Sequence, residues 1–428
     1  MSARLEHAPV PVTRRPSAGS LLRLAPLLAL YLLLCALLQP GDPVRDEPAF
    51  LAAAERLVTE GRLADTSMNA DQRAFLWHGP GLIVVLAPLV ALHAALPLMR
   101  FLEPLLLAGA IVLFHRLLSI RLAPRPALLW TYALGLYVPL MSVLGTLQKE
   151  PLAVLLVIAG MLALTRGLDS GRPWQLVAAG LALGALTMVR PEYGWVTLAL
   201  LAGAALWLAR RRNRPVRRRA LVVAATATLA CVPWLAYTHA KTGRVLYWSS
   251  SSGLSLFWMS PTLPGETGQW HSPVRVFRDP EFARYRPWFH HLDAVPPLRS
   301  DIELRDRAAA NIRAKPLLYA RNLVANATRL LFYAPTRPAP APATLAIYLL
   351  FNGALVVAVV WAARTLGRRR AAVPPETGPI TLFAALAIAV HVPPSAAPRM
   401  LLPIVPSLIW LVALAVTLRD ARPAGRSR

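Results

Sequence analysis

Residues 21–61 read LLRLAPLLALYLLLCALLQPGDPVRDEPAFLAAAERLVTEG, a long apolar run followed by an acidic pair and an alanine-rich segment. A run of about 18 or more apolar residues is long enough to cross a bilayer as a helix. Runs of the same kind recur at 220–237 and 401–418. The sequence therefore predicts an all-α, polytopic membrane protein.

The composition supports this class and argues against a nucleic-acid-binding protein. Hydrophobic residues make up 56% of the 428, and the mean hydropathy of +0.47 is too high for a soluble domain of this size. The formal net charge of +25 would indicate an anionic partner in a soluble protein. In a membrane protein the charge is instead a signal of topology. Cys35 and Cys231 both lie in apolar runs, so no disulfide framework is expected.

Hydropathy and the positive-inside rule together predict about ten transmembrane helices. With the N-terminus in the cytoplasm, the arginine-rich short loops, such as those at 210–219 and 364–370, all fall on the cytoplasmic side. Both termini are then cytoplasmic, and we expect the protein in the inner (plasma) membrane. The predicted spans are 21–39, 99–115, 127–146, 151–165, 174–189, 193–209, 220–238, 344–363, 378–392 and 400–418.

The segment 81–98 is apolar enough to be a further span. If it crossed the membrane, the arginine clusters between residues 116 and 219 would move to the outer face, against the positive-inside rule. Pro88, His93 and Pro97 interrupt it, which favours a re-entrant or juxtamembrane element on the outer side. The sequence leaves open whether this segment crosses.

Three regions follow from this topology. Residues 1–238 form an N-terminal transmembrane catalytic module, whose first outer loop is 39–98. Residues 239–343 form an outer, periplasmic loop or subdomain, and residues 344–428 form the C-terminal transmembrane helices. A loop of about 100 residues is far longer than most connections, and such loops tend to be functional.

Charged residues gather at the outer ends of the predicted spans. Ionisable groups at membrane depth are costly and are functional by default. Asp46 and Glu47 could instead have a structural role as helix caps. Glu150 could instead cap its helix or form an ion pair with Lys149. Since all the clusters lie on one face, we expect them to line one cavity. They are Asp46-Glu47, Gln148-Lys149-Glu150 and Arg190-Pro191-Glu192.

Two further residues on this face are candidates for binding. His78 lies in Trp77-His78-Gly79-Pro80, before the segment 81–98, and Arg399 begins the last predicted span. Arginine suits the bidentate binding of phosphate. The alternative for His78 is a side chain that simply lies at the membrane interface. The alternative for Arg399 is an anchor that holds its helix at this interface.

The order of these features resembles the GT-C superfamily of integral-membrane glycosyltransferases, in particular the protein O-mannosyltransferases and the lipid A aminoarabinose transferase. Members carry an acidic pair after the first helix, then an alanine-rich helix that ends at a glycine, as 46–61 does. An arginine opens the next span, as Arg100 does, and a second acidic residue follows, as Glu150 does. The terminal Pro-Arg-aromatic-Leu-Leu-Pro-x-x-Pro pattern is similar to 398–406, with Met400 replacing the aromatic.

The resemblance implies a hexosyl- or pentosyltransferase that moves a sugar, with inversion, from a polyprenyl-phosphate carrier to an acceptor hydroxyl on the outer face of the cell envelope. It implies Asp46 and Glu47 as catalytic residues, with Asp46 as the general base. A divalent cation, if one is used, would lie at Asp46 and Glu150. The sugar, the metal dependence and the acceptor (glycolipid, glycan or protein) stay open. The implied substrate and lipid-phosphate contacts are Glu150, His78, Arg100, Arg190, Glu192 and Arg399.

Two other classes of function remain alternatives. An O-antigen polymerase or ligase-like enzyme is also polytopic with a large outer loop, but it relies on arginine and histidine in its outer loops, and the acidic pair counts against it. A lipid or solute transporter tends to show internal repeats, with interrupted helices at corresponding positions of two halves. The one large late loop of this sequence argues against such a repeat.

Overall fold

The computed structural model describes residues 18–44, 46–63, 76–209, 214–262 and 265–420. Throughout these ranges the chain is built from helices and contains no strand, which confirms the all-α prediction. Several features used for the topology lie outside the described residues. They are the arginines before residue 18, residues 64–75 of the first outer loop, residues 210–213 and the tail from residue 421.

Twelve helices make up the N-terminal part. Many of them have proline in the first turn, where its missing N–H would have no partner in any case. The helices are α1 Ala18–Leu22, α2 Ala25–Leu38, α3 Glu47–Glu60, α4 Pro80–Ala91, α5 Leu96–Arg100, α6 Leu102–Leu118, α7 Pro124–Gly135, α8 Val138–Met141, α9 Glu150–Ser170, α10 Pro173–Val189, α11 Tyr193–Ala209 and α12 Arg214–Thr242.

In the long loop at 239–343, short helices and two longer ones form around an aromatic cluster. Phe257, Trp258, Phe282 and Phe289 are buried against one another there, separately from the main hydrophobic core. Following the predicted topology, we call this segment the outer subdomain. Its helices are α13 Ser252–Met259, α14 Pro273–Arg278, the 3-10 helix Pro280–Tyr285, α15 Arg286–Ala294, α16 Pro297–Ala314 and α17 Pro316–Phe332.

The C-terminal part adds the most buried helix of the bundle. These elements are α18 Pro342–Arg368, the 3-10 helix Arg370–Ala372, α19 Thr377–His391, the 3-10 helix Pro398–Leu401 and α20 Val405–Asp420. Every residue from Val405 to Ala415 is buried, and α20 packs against α7, α9, α18 and α19. The short 3-10 helix that precedes α20 is therefore held at the centre of one end of the bundle.

Four helical stretches of the described chain are long and apolar enough to cross a membrane: Leu96–Leu118, Glu150–Ser170, Arg218–Thr242 and Pro342–Arg368. Five more apolar helices are shorter: Ala25–Leu38, Pro80–Ala91, Pro173–Val189, Tyr193–Leu206 and Thr377–His391. The chain is a helical membrane protein, and the count of about ten spans stays a prediction.

The segment 81–98 does not form one continuous helix. α4 ends at Ala91, His93 has a positive φ of 51°, and α5 begins at Leu96. With 12 residues, α4 is about 18 Å long at 1.5 Å per residue, short of the ~30 Å hydrocarbon core of a bilayer. It packs against α3 and α10.

Ion pairs mark the two ends of the helical bundle. At one end Arg121, after α6, binds Asp169 of α9 at 2.6 Å and Glu376, before α19, at 2.7 Å. At the opposite end, where α9 begins and α10 ends, Glu150 binds Arg190 at 3.0 Å. We call the second end the site end and the first the far end.

Candidate active site

Asp46 lies at the site end, immediately before α3, and it is the more accessible member of the acidic pair. Its Oδ2 accepts a hydrogen bond from Nη2 of Arg399 at 2.9 Å, and its side chain is 28% exposed. Burial raises the pKa of Asp46, but the positive charges of Arg399 and Lys149 outweigh burial and hold this pKa below its ordinary value. Asp46 is therefore an ionised carboxylate that a ligand can reach.

Glu47 points into the protein and is fully buried. Its two oxygens accept hydrogen bonds from Nε and Nη2 of Arg100 at 2.9 and 2.8 Å. They also accept from the backbone N–H groups of Val44, at 2.9 Å, and Leu147, at 2.7 Å. Burial raises the pKa of Glu47, and these four hydrogen bonds outweigh it, so that the pKa is lowered. Glu47 ties the start of α3 to two other segments.

Arg100 is equally buried and completes this arrangement. Besides its bidentate contact with Glu47, its guanidinium donates to the carbonyl oxygens of Pro40 and Asp42. The pair joins α5 to the link between α2 and α3. Arg100 presents no exposed surface at which a phosphate could bind, so the structure does not place it among the accessible residues of the site.

Arg399 connects the acidic clusters that the sequence keeps apart. Besides its bond to Asp46, it donates through Nη1 to Oε1 of Gln148 at 2.7 Å, and its Nε lies 3.8 Å from Oε1 of Glu150. Burial lowers the pKa of Arg399, but the carboxylates of Glu150 and Asp46 raise it above the ordinary value. The side chain is 34% exposed, so a charged guanidinium faces the accessible side of the cluster.

The outer subdomain holds the loop at 391–397, which leads to Arg399. The buried amide of Asn326, in α17, donates through Nδ2 to three carbonyl oxygens at the start of this loop, at 2.7–3.1 Å. Its Oδ1 accepts from the backbone N–H of Ala396 at 3.0 Å. The backbone N–H of Ser395 also donates to the carbonyl oxygen of Ser255, in α13, at 3.1 Å. The position of Arg399 thus depends on contacts with the outer subdomain.

Glu150, Arg190 and Glu192 form a chain of charges beside Arg399, in which Glu150 and Arg190 are buried and Glu192 is partly exposed. Arg190 donates to Oε1 of Glu150 at 3.0 Å and to Oε1 of Glu192 at 2.8 Å. The same oxygen of Glu192 lies 3.5 Å from Nε2 of His391, at the end of α19. Oε2 of Glu150 is buried and has no hydrogen-bond partner in the described part of the chain. Arg190 therefore fixes Glu150, whose other oxygen is available for a further bond.

His78 contacts the cluster through Lys149. Nδ1 of His78 lies 3.4 Å from Nζ of Lys149, and the imidazole packs on the ring of Phe50 with 4.6 Å between centroids. Burial and the nearby positive charge of Lys149 lower the pKa of His78 to about 3. His78 is therefore neutral at pH 7 and accepts a hydrogen bond from the ammonium of Lys149.

The donor set does not fit the divalent cation that the resemblance leaves open. Within the ranges that the structure describes, no group of three or more His, Cys, Asp or Glu side chains is placed to hold a metal ion. The guanidinium of Arg399 is 2.9 Å from Asp46 and 3.8 Å from Glu150. A cation that bridged these two carboxylates would meet an arginine, so we derive no catalytic step through a metal.

Most of the residues predicted from the sequence come together. Asp46, Glu150, Arg190, Glu192 and Arg399 form one connected cluster, which His78 joins through Lys149, while Glu47 and Arg100 form a separate buried pair behind Asp46. Gln148 and Lys149 were predicted only as members of the Glu150 cluster, without a role of their own, and the sequence did not identify His391 and Asn326. The contacts of His391 and Asn326 depend on long-range packing, which no local pattern predicts.

Comparison with known proteins gives structural likeness only. No family model and no curated protein matches the chain. The chain is similar to the archaeal oligosaccharyltransferase AglB from Archaeoglobus fulgidus in complex with an inhibitory peptide and a dolichol-phosphate (12% identity, TM-score 0.49, 94% of this chain and 50% of that chain). It is also similar to an Archaeoglobus fulgidus oligosaccharyltransferase in the apo form (14%, 0.49, 92% and 50%). A third similar structure is that of an Archaeoglobus fulgidus oligosaccharyltransferase tethered by a disulfide bond to an acceptor peptide with the NVT sequon (15%, 0.46, 92% and 49%). The chain spans about half the length of these proteins.

Proposed function

We propose that this membrane protein is a glycosyltransferase that moves a sugar from a polyprenyl-phosphate carrier to an acceptor hydroxyl, with Asp46 as the general base. The observation that carries the proposal is the hydrogen bond between the accessible carboxylate of Asp46 and the charged guanidinium of Arg399. A carboxylate can take the proton of a hydroxyl, and an arginine can bind a phosphate. The group that binds the donor phosphate and the group that takes the acceptor proton would therefore be in direct contact.

In the proposed reaction the acceptor oxygen attacks the anomeric carbon from the side opposite the phosphate. The new carbon–oxygen bond forms while the bond from the anomeric carbon to the phosphate oxygen breaks, and the electron pair leaves with the polyprenyl phosphate. The acceptor proton passes to Asp46. Attack from the opposite side inverts the anomeric configuration.

Arg399 would link donor binding to the strength of the base. In the free protein, its contact with Asp46 lowers the pKa of that carboxyl, which makes Asp46 a weak base. A donor phosphate that takes up the N–H groups of Arg399 would weaken this contact, and the pKa of Asp46 would then rise toward the range in which general bases are efficient. The proton would accordingly be accepted only when a donor is bound.

Other charges of the cluster would stabilise the departing phosphate and hold Arg399. The ammonium of Lys149 supplies a second positive charge, positioned by neutral His78. Glu150, held by Arg190, lies beside Nε of Arg399 and would orient the guanidinium. Glu192 would hold Arg190 from its other side.

Glu47 would be a positioning residue, since all its contacts are with the protein itself. Its bonds to Arg100 and to the backbone N–H of Leu147 fix the start of α3, and so the direction of the neighbouring Asp46. We place the site on the outer, periplasmic face of the inner membrane, with both termini in the cytoplasm. The acceptor would be a glycolipid, a glycan or a protein of the cell envelope.

The proposal can be tested in cells that lack the gene. Envelope glycolipids, glycans and glycoproteins are profiled by mass spectrometry, and the deletion strain is complemented with the wild type, Asp46→Asn or Asp42→Asn. Asp42 is a matched control because its exposed side chain lies four residues earlier in the same link. Loss of one glycosylated product, restored by the wild type and Asp42→Asn but not by Asp46→Asn, is expected. An unchanged glycan profile on deletion, or restoration by Asp46→Asn, would contradict the proposal.

A further inference from the structure

A cavity of about 430 Å³ lies between α9, α10, α11, α12 and α19. We call it the bundle crevice. Its lining is almost wholly apolar, and its volume falls in the range of about 300–1,000 Å³ that is typical of small-molecule sites. It reaches the far end of the bundle, where Leu168, Ala220 and Pro375 line it. No step of the proposed reaction uses this space.

A layer of buried side chains separates the bundle crevice from the candidate active site. Tyr193 is fully buried and stacks on Phe383, a lining residue, with 5.9 Å between ring centroids. Its ring also meets the edge of His391, which belongs to the site, at 5.8 Å. Val189, at the end of α10, and Val196, on α11 with Tyr193, are buried as well. The lipid chain of a donor held at the site end is therefore not the expected occupant.

The bundle crevice opens sideways, between α11 and α19. Gly203 on α11 and Gly378, Pro379 and Leu382 on α19 all line it and are all exposed. In a membrane, these exposed edges of two apolar helices face the lipid chains. A chain of a bilayer lipid can thus enter from the side, at the half of the bundle remote from the site.

Positive charge lies at the far end of this opening. Nη1 of Arg219, on α12, donates to the carbonyl oxygen of Leu168, which lines the crevice, at 3.1 Å. Its neighbour Arg218 is exposed. Two carboxylates at this end, Asp169 and Glu376, are both bound by Arg121. Basic pockets between transmembrane helices bind the head groups of anionic lipids, and arginine suits a phosphate.

We propose that the bundle crevice binds an acyl chain of an anionic phospholipid, whose phosphate lies beside Arg219. The apolar lining takes the chain, the gap between α11 and α19 admits it from the bilayer, and the arginine selects the charged head group. The lipid would fill a space between five helices and so stabilise their packing.

The test uses leucine substitutions at two glycines. A Cβ at Gly203 would meet no atom within 4 Å, so Gly203→Leu introduces a side chain at the opening with no clash at its Cβ. Gly353, on α18, has the same open surroundings and does not line the crevice, so Gly353→Leu is the matched control. Arg219→Gln removes the charge and leaves the crevice open.

The full-length protein is purified in mild detergent, and the lipids that stay bound are identified and counted by native mass spectrometry. We expect the wild type and Gly353→Leu to retain an anionic phospholipid, Gly203→Leu to lose it, and Arg219→Gln to lose the preference for anionic over zwitterionic lipid. After delipidation, vesicles containing phosphatidylglycerol should raise the midpoint of thermal unfolding of the wild type but not of Gly203→Leu. Equal retention of the anionic phospholipid in Gly203→Leu and the wild type would overturn the proposal, as would a polyprenyl phosphate, instead of a phospholipid, as the lipid that Gly203→Leu loses.

Discussion

Changing each member of the Asp46–Glu47 pair to its amide should separate a chemical role from a structural one. Glu47→Gln leaves the charge of Arg100 buried without a carboxylate and replaces one acceptor oxygen with a donor N–H group. Removing one partner of a buried ion pair costs about 3–5 kcal/mol of stability. Asp46 and Arg399 are both partly exposed, and such a pair contributes only about 0–1 kcal/mol. Glu47→Gln should therefore lose stability, whereas Asp46→Asn should lose activity but keep its stability.

The assay is reversible denaturation in mixed micelles, followed by tryptophan fluorescence. We expect a free energy of unfolding lower by about 3–5 kcal/mol for Glu47→Gln, and a change within about 1 kcal/mol for Asp46→Asn. The double variant Glu47→Leu, Arg100→Met removes both charges and should be more stable than Glu47→Gln, since no charge stays buried alone. If Glu47→Gln were as stable as Asp46→Asn, the structural role of the buried pair would be refuted.

Three further predictions concern the candidate site and the topology. Arg399→Gln should raise the pKa of the candidate base, because the cation that lowers it is gone, and should move the acid limb of the kcat/KM–pH profile to higher pH. Asn326→Ala should lower transfer by releasing the loop that carries Arg399, while Thr328→Ala, which changes an exposed hydroxyl bonded only within its own helix, should leave it unchanged in the same assay. In intact cells, an impermeant thiol reagent should label cysteine at the exposed position of Glu60, and label cysteine at Ser170 only after permeabilisation.

Each of these predictions has an outcome that opposes it. An unchanged acid limb in Arg399→Gln would show that Arg399 does not lower the pKa of the base. Equal transfer by the Asn326→Ala and Thr328→Ala variants would show that the loop needs no support from the outer subdomain. Labelling at Ser170 from outside would reverse the predicted topology. The two native cysteines are buried, which limits background labelling.

The sequence predicted the helical class and the location of the charged clusters, because both depend on local patterns. Apolar runs predict helices, and charged residues at the ends of these runs can be identified as candidate site residues without any knowledge of the fold. The partners of these charges depend on long-range contacts. Arg399 lies 353 residues from Asp46 in the chain, and Arg100 lies 53 residues from Glu47.

The different surroundings of Asp46 and Glu47 show this limit directly. Successive residues at a helix start point about 100° apart, since a helix has about 3.6 residues per turn. One carboxylate therefore faces the accessible cluster and the other faces the interior. The local pattern of residues does not distinguish the two, and only the family resemblance singles out Asp46. The neutral state of His78 also has no local signal, because it depends on burial and on Lys149.

The central claim is that Asp46 takes the proton of the acceptor hydroxyl, and single-turnover kinetics test it most directly. The purified protein, loaded with a polyprenyl-phosphate sugar identified from the deletion strain, is mixed with acceptor, and the chemical step is timed for the wild type, Asp46→Asn and Asp42→Asn. We expect Asp46→Asn to bind the donor but to slow the chemical step by about 10²–10⁴-fold, the usual contribution of a general base, and Asp42→Asn to react like the wild type. A chemical step in Asp46→Asn as fast as that of the wild type would contradict it.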